Sequence, residues 1–112
     1  MLRSLILEVA NEQDPPIIIE ETLKWSEPAY LCKTGSTIRL GTPKPAHYAM
    51  YFNCKTSIIE TITEVYGDTF EYDGKRALIF DINQTPDLVS LRQCILIALT
   101  YHKRKHLTLL DI

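Results

Sequence analysis

Glycine is scarce in this chain, four residues in 112, and tryptophan occurs once. So few glycines exclude a collagen-like repeat or a flexible linker-rich chain. Cysteine is scarce too: Cys32, Cys54 and Cys94 are odd in number and widely spaced, which fits neither a disulfide framework nor a CxxC zinc or redox motif. Three reduced thiols in a cytoplasmic setting are expected. No long hydrophobic run exists. The longest, Cys94 to Leu99, is far short of the ~20 residues that span a bilayer, and Glu8 interrupts the apolar start at Leu5-Ile6-Leu7 before a signal-peptide core could form. A soluble, non-secreted chain is expected, with no membrane partner. Charge of one sign is absent as well. Twelve Lys and Arg against fourteen Asp and Glu leave a net −2, which argues against a phosphate-backbone reader and removes nucleic acid from the partners. No GxGxxG, Walker loop, HExxH or GxSxG motif occurs, so no enzyme class is indicated.

What is present is the mix of one compact domain, residues 1–112, with 46% apolar and 23% charged residues, enough to bury a core without metal or disulfides. Leu2, Leu5, Ile6 and Val9 fall at helical spacing. Asp14-Pro15-Pro16 then suits a helix start, and Ile17 to Trp25 reads as a second short helix stopped by Pro28. Strands are expected at Tyr30 to Lys33, Thr37 to Leu40 and His47 to Phe52. Ser57 with Glu60 three residues on is a capping box opening a helix that Gly67 ends. Asp73-Gly74 predicts a two-residue hairpin turn, with Glu71 opposite Arg76 and with Phe70, Tyr72, Ala77 and Ile79 on the core side. Thr85-Pro86-Asp87 opens a last helix running to about His102, apolar nearly all round and therefore central. The order α-α-β-β-β-α-β-β-α reads as an α+β, two-layer domain: an antiparallel sheet of about five strands with helices on one face.

Lys24-Trp25-Ser26-Glu27-Pro28-Ala29-Tyr30-Leu31, then Tyr48-Ala49-Met50-Tyr51-Phe52-Asn53-Cys54-Lys55-Thr56, Gly74 to Phe80 and Ala98-Leu99-Thr100-Tyr101-His102 carry a resemblance covering about Ile18 to His106. The chain resembles the YdhG-like family of small bacterial domains of unknown function. The resemblance implies a fold rather than a reaction. Because parts of that family are described as frataxin-like iron carriers, it also implies a weak, carboxylate-based iron role. Many relatives carry Gly-Gln where this chain has Ser26-Glu27. If that glycine takes positive φ, Ser26 strains the turn.

Five carboxylates, Glu8, Glu12, Asp14, Glu20 and Glu21, lie in a stretch without Lys or Arg. Clustered carboxylates suit a hard cation such as iron in a labile site, and a solvated helix face is the simpler explanation. His102 and His106 stand at metal-sharing helical spacing, but Lys103-Arg104-Lys105 between them favours a helix C-terminal role. Cys54, beside Lys55 and near a helix start, is the thiol worth testing, with His47 as the candidate base; Cys94 should be buried and inert. Lys24, Trp25, Glu27, Pro28, Tyr30, Tyr48 and Tyr51 form the candidate binding surface, since amphipathic aromatics suit ligand stacking and interfaces. The plainer alternative has Trp25 and Tyr30 plugging one end of the core. The leading expectation is a non-enzymatic binding module without a cofactor, recognising a protein or small molecule, with a homodimer among the assemblies to test. A weak iron carrier is the alternative.

Overall fold

A computed structural model describes all 112 residues. The chain opens with α1 (Leu2–Asn11), whose buried stripe is Leu2, Leu5, Ile6, Val9 and Ala10, as the 3.6-residue spacing requires. Four strands follow, β1 (Glu20–Lys24), β2 (Glu27–Leu31), β3 (Ile38–Gly41) and β4 (His47–Tyr51). Then come α2 (Ile58–Tyr66), a 3-10 turn, β5 (Glu71–Asp73), β6 (Ala77–Asp81) and α3 (Leu88–Leu99). A four-residue turn of helix, α4 (Tyr101–Arg104), and a second 3-10 turn complete the chain. All pairings are antiparallel in one six-stranded sheet of order β1-β2-β3-β4-β6-β5.

The expected α+β, two-layer architecture is the observed one, with one element exchanged. The segment expected as a second helix is strand β1, fully exposed along its length. Helical punctuation by the prolines misled there. The segment's Ile17-Ile18-Ile19 and Thr22 favour extended backbone, and the hairpin with β2 supplies partners that local signals do not reveal. The turn between them, Trp25-Ser26, has positive φ at both residues, +50° and +66°, the type I′ signature that fits the twist of a two-residue hairpin.

One face of the sheet carries Tyr30, Ile38, Met50, Leu78 and Phe80 into the main core, where α3 contributes Leu91, Cys94, Ile95, Ala98 and Leu99. Helix α3 packs against both α1 and α2, the central place its near-uniform apolarity predicts. The loop before β3 stitches onto the end of α3. Ser36 N donates to Ala98 O at 2.9 Å and Thr34 Oγ1 to Leu99 O at 2.7 Å, so carbonyls left open at the helix end find donors, and His102 N donates in return to Thr34 O at 3.0 Å.

Three local expectations are corrected. The β5–β6 connection has three residues, Gly74 to Arg76, because Asp73 pairs with Ala77. Glu71 therefore faces Ile79, and Arg76 reaches Asp73 at 3.0 Å instead. That extra loop residue changes the face assignment: Tyr72 and Leu78 point to the helices, while Ala77 and Ile79 form a cluster with Ala49 on the other face. The Ser57–Glu60 box is not formed; Ser57 N donates to the Tyr101 hydroxyl at 3.4 Å, and Ile58 N donates to Thr56 Oγ1 at 3.4 Å. The last long helix is capped by Asp87, whose carboxylate accepts from Ser90 N at 3.1 Å, rather than by Thr85.

Candidate functional site

The face of the sheet opposite the helices gathers Trp25, Glu27 and Tyr51 of the candidate surface residues. A single cross-strand row runs Thr22, Ala29, Arg39, Tyr51, Ala77 and Asp73. No helix covers this face, yet Ala29, Ala49 and Ala77 are 0% exposed. They are sheltered by long side chains laid across them. The Arg39 guanidinium lies 5.1 Å from the Trp25 ring and 5.3 Å from Tyr51, and Arg76 lies 5.8 Å from the same tyrosine. The order Trp25, Arg39, Tyr51, Arg76 is a ladder of cation–π contacts, each contributing about 0.5–1 kcal/mol at exposed positions. Its outer rung, Trp25, is 83% exposed.

Glu27 locks the ladder. Its Oε1 accepts from Arg39 at 2.7 Å, in a half-buried ion pair. Its Oε2 has no protein donor and lies across Gly41, so close that a β-carbon there would sit 2.2 Å away. Glycine at position 41 is what lets the carboxylate lie flat on the sheet.

Glu27 and Gly41 also line a cleft of about 590 Å³ at the rim of the sheet, where the start of α1 meets the ends of β2, β3 and β4. Its apolar walls are Leu2, Pro28, Leu40, Tyr48 and Ile82. Tyr48 stacks on Phe80, with ring centroids 5.1 Å apart, and burial raises its hydroxyl pKa. The cleft thus presents an apolar body with the Glu27 carboxylate on one edge and Arg3, its charge answered by Glu21, on another.

The seven candidate surface residues are brought together in part. Glu27, Pro28 and Tyr48 share the cleft, and Trp25 and Tyr51 meet through Arg39 beside it. Lys24 is exposed at the end of β1. Tyr30 is elsewhere: it is buried on the helix side and its hydroxyl donates to Glu21 at 3.2 Å. A joint plug of Trp25 and Tyr30 is therefore not what forms, because alternation along β2 and the intervening turn send the two to opposite sides. Sequence reasoning missed Arg39, Arg76, Gly41 and the contribution of α1. A legible signal existed in the small residues Ala29, Gly41, Ala49 and Ala77 alternating with large core residues.

The five carboxylates do not converge. Arg92 pairs with Glu8 at 3.2 Å and also with Glu12, while Arg3 holds Glu21 at 2.6 Å. The Arg3 hydrogen bond keeps the Glu21 carboxyl below its ordinary range, aided by Tyr30. No three His, Cys, Asp or Glu side chains come together as a metal-binding group. His106 lies beyond the end of α4, so it does not share a helix face with His102. Cys54 is exposed in the turn after β4, and His47 begins that strand, which separates them by more than ~13 Å of extended chain. Cys94 is buried, and desolvation pushes its thiol pKa up to about 12, the inert state expected of it. No helix is long and apolar enough to cross a membrane. Compared with protein families, curated proteins and solved structures, the chain matches none.

Proposed function

We propose that this chain is a non-enzymatic, cytoplasmic binding module of the YdhG-like kind, and that the rim cleft is where it binds. The single observation that carries this reading is Glu27, whose carboxylate is held over Gly41 with one oxygen free of protein donors and which also lines the apolar cleft at the rim of the sheet. A half-buried acceptor at the sheet rim, next to a cleft walled by Leu40, Tyr48 and Ile82, complements a ligand, or a partner side chain, with an apolar body and a cationic or N–H-bearing head that reaches round the rim. The family assignment rests on the resemblance at Lys24–Leu31 and Tyr48–Thr56. An iron-carrying role is the weaker reading, since a cation at Glu8, Glu12 or Glu21 competes with Arg92 and Arg3 for the same oxygens.

Titration with n-hexylammonium, n-hexanol and hexanoate, followed by amide and methyl chemical shifts, tests the proposal. The ammonium ion should perturb Leu40, Tyr48 and Ile82 most, hexanol less and hexanoate least. Glu27→Gln should remove the preference for the ammonium head. Perturbation by none of the three, or a ranking unchanged in Glu27→Gln, would overturn the reading.

A further inference from the structure

The free edge of β1 is the other unusual surface. All five of its residues are exposed, and the chain around it shows three large apolar side chains to solvent: Ile18 at 84%, Leu23 at 70% and Trp25 at 83%. An unpaired edge of this length, flanked by exposed apolar side chains, is a template for another strand. The opposite edge, β5, has three residues and offers much less.

The pairing of β1 with β2 fixes which backbone groups face outward. The two-residue turn closes on Lys24 and Glu27, which makes that pair hydrogen-bonded. Alternation then makes Thr22–Ala29 and Glu20–Leu31 hydrogen-bonded pairs as well. Leu23 stands opposite Pro28, which has no N–H. Glu21 and Leu23 therefore present their N–H and C=O groups to the free edge.

We propose that a second copy of this chain docks on this edge, the two β1 strands pairing antiparallel about a two-fold axis at Thr22. In that register Glu21 of each copy faces Leu23 of the other, so outward donors meet outward acceptors. Glu20 of each copy faces Lys24 of the other on the uncovered face of the sheet, giving two opposite-charge pairs. Ile18 and Trp25, both exposed in one copy, come beside each other across the junction. A two-residue slip in one direction sets Glu21 against Glu21 and Glu20 against Thr22. A slip in the other sets Leu23 against Leu23 and Lys24 against Thr22. Neither pairs unlike charges, so charge complementarity selects one register. Charged side chains on an edge often serve to repel other strands; here their signs admit one partner strand, the same strand reversed. Two five-residue edges bury on the order of 1,000 Å² or less, which places the dimer among weak, concentration-dependent interfaces.

This inference deepens the binding-module reading by naming one partner, and it stands or falls apart from the cleft, whose hexylammonium response is read at a concentration where the chain is monomeric. Sedimentation velocity from micromolar to millimolar concentration provides the test. Wild type should associate reversibly. Leu23→Pro removes only an outward N–H, since Leu23 makes no ladder bond to Pro28, so it should keep the fold and lose the dimer. Glu20→Lys brings two ammonium groups together at each cross-strand pair, and Lys24→Glu brings two carboxylates together there, so each alone should weaken association by about tenfold or more. An equimolar mixture of the two variants should restore it, because in the mixed dimer one cross-pair joins the two introduced charges, opposite in sign, and the other joins the two native ones. A wild type that is monomeric throughout, single reversals that associate normally, or a mixture that fails to recover would each overturn the proposal.

Discussion

Gly35→Ala should be among the most damaging single-atom additions to this protein. A β-carbon at position 35 would sit 2.1 Å from the Ala98 carbonyl oxygen and 2.4 Å from the Leu99 carbonyl carbon. Carbon contacts ordinarily relax to roughly 3.5–4.0 Å, so the loop must retreat from α3 by more than about 1 Å. The obstacle is helix backbone and cannot swing aside. Retreat breaks the bonds from Ser36 N to Ala98 O, Thr34 Oγ1 to Leu99 O and His102 N to Thr34 O, at 2.9, 2.7 and 3.0 Å. At about 1 kcal/mol each, two or three of them amount to about 2–3 kcal/mol, a large share of the ~5–15 kcal/mol that holds a domain together. Gly74→Ala is the control. Gly74 has φ +56° and nothing within 4 Å of an added β-carbon, so its cost is conformational alone, about 1 kcal/mol. Urea unfolding of both variants should show unchanged slopes and a midpoint shift for Gly35→Ala at least twice that of Gly74→Ala. An equal or smaller shift for Gly35→Ala would refute the close approach of loop and helix.

Ser26→Gly should stabilise the fold by about 0.5–1 kcal/mol in the same assay, since a serine at φ +66° bears a left-handed penalty that outweighs the added freedom of an unfolded glycine. Burial raises the Cys94 pKa from 9.0 to about 12; the folded state therefore favours the neutral thiol, and its contribution is full below the unfolded pKa and lost as pH rises toward 12. A rise of that size corresponds to about 4 kcal/mol, so the decline in stability between pH 9 and 12 should be shallower in Cys94→Ala. At the acid end Glu21 has the opposite sign. Its lowered pKa stabilises the fold above the unfolded carboxyl value and is lost as pH falls through the folded one, so Glu21→Gln should flatten the acid limb of the stability profile.

Much of the fold is legible in the sequence wherever one signal dominates. The stripe Leu2, Leu5, Ile6, Val9 and the apolar body of α3 leave a helix no face but a buried one. Alternation at Tyr48, Met50 and Phe52 does the same for β4. Failures cluster where two local signals compete. At Ile17 to Trp25 prolines argue for helix boundaries while isoleucines and threonine argue for extension, and the decision belongs to β2, whose pairing no local window contains. At Asp73-Gly74 the dipeptide fits a two-residue turn, but the sheet register set by Tyr51 against Ala77 leaves room for three. One residue of loop then moves Ala77 and Ile79 from the core to the uncovered face.

The uncovered face explains why the candidate site is only half legible in the sequence. A sheet face without a helix must either be polar or be roofed by its own side chains, and this chain does the latter. Small residues at Ala29, Gly41, Ala49 and Ala77 form the floor, and Trp25, Arg39, Tyr51 and Arg76 lie flat upon it, their charges answered by Glu27 and Asp73. Aromatic residues stand out in a sequence, so Trp25 and Tyr51 are legible there. The arginines look like ordinary surface charge until strand register sets Arg39 between Ala29 and Tyr51. The same roof gives the rim its chemistry: an Arg39-bound carboxylate lies on the sheet at the edge of an apolar cleft only because nothing larger than hydrogen occupies position 41.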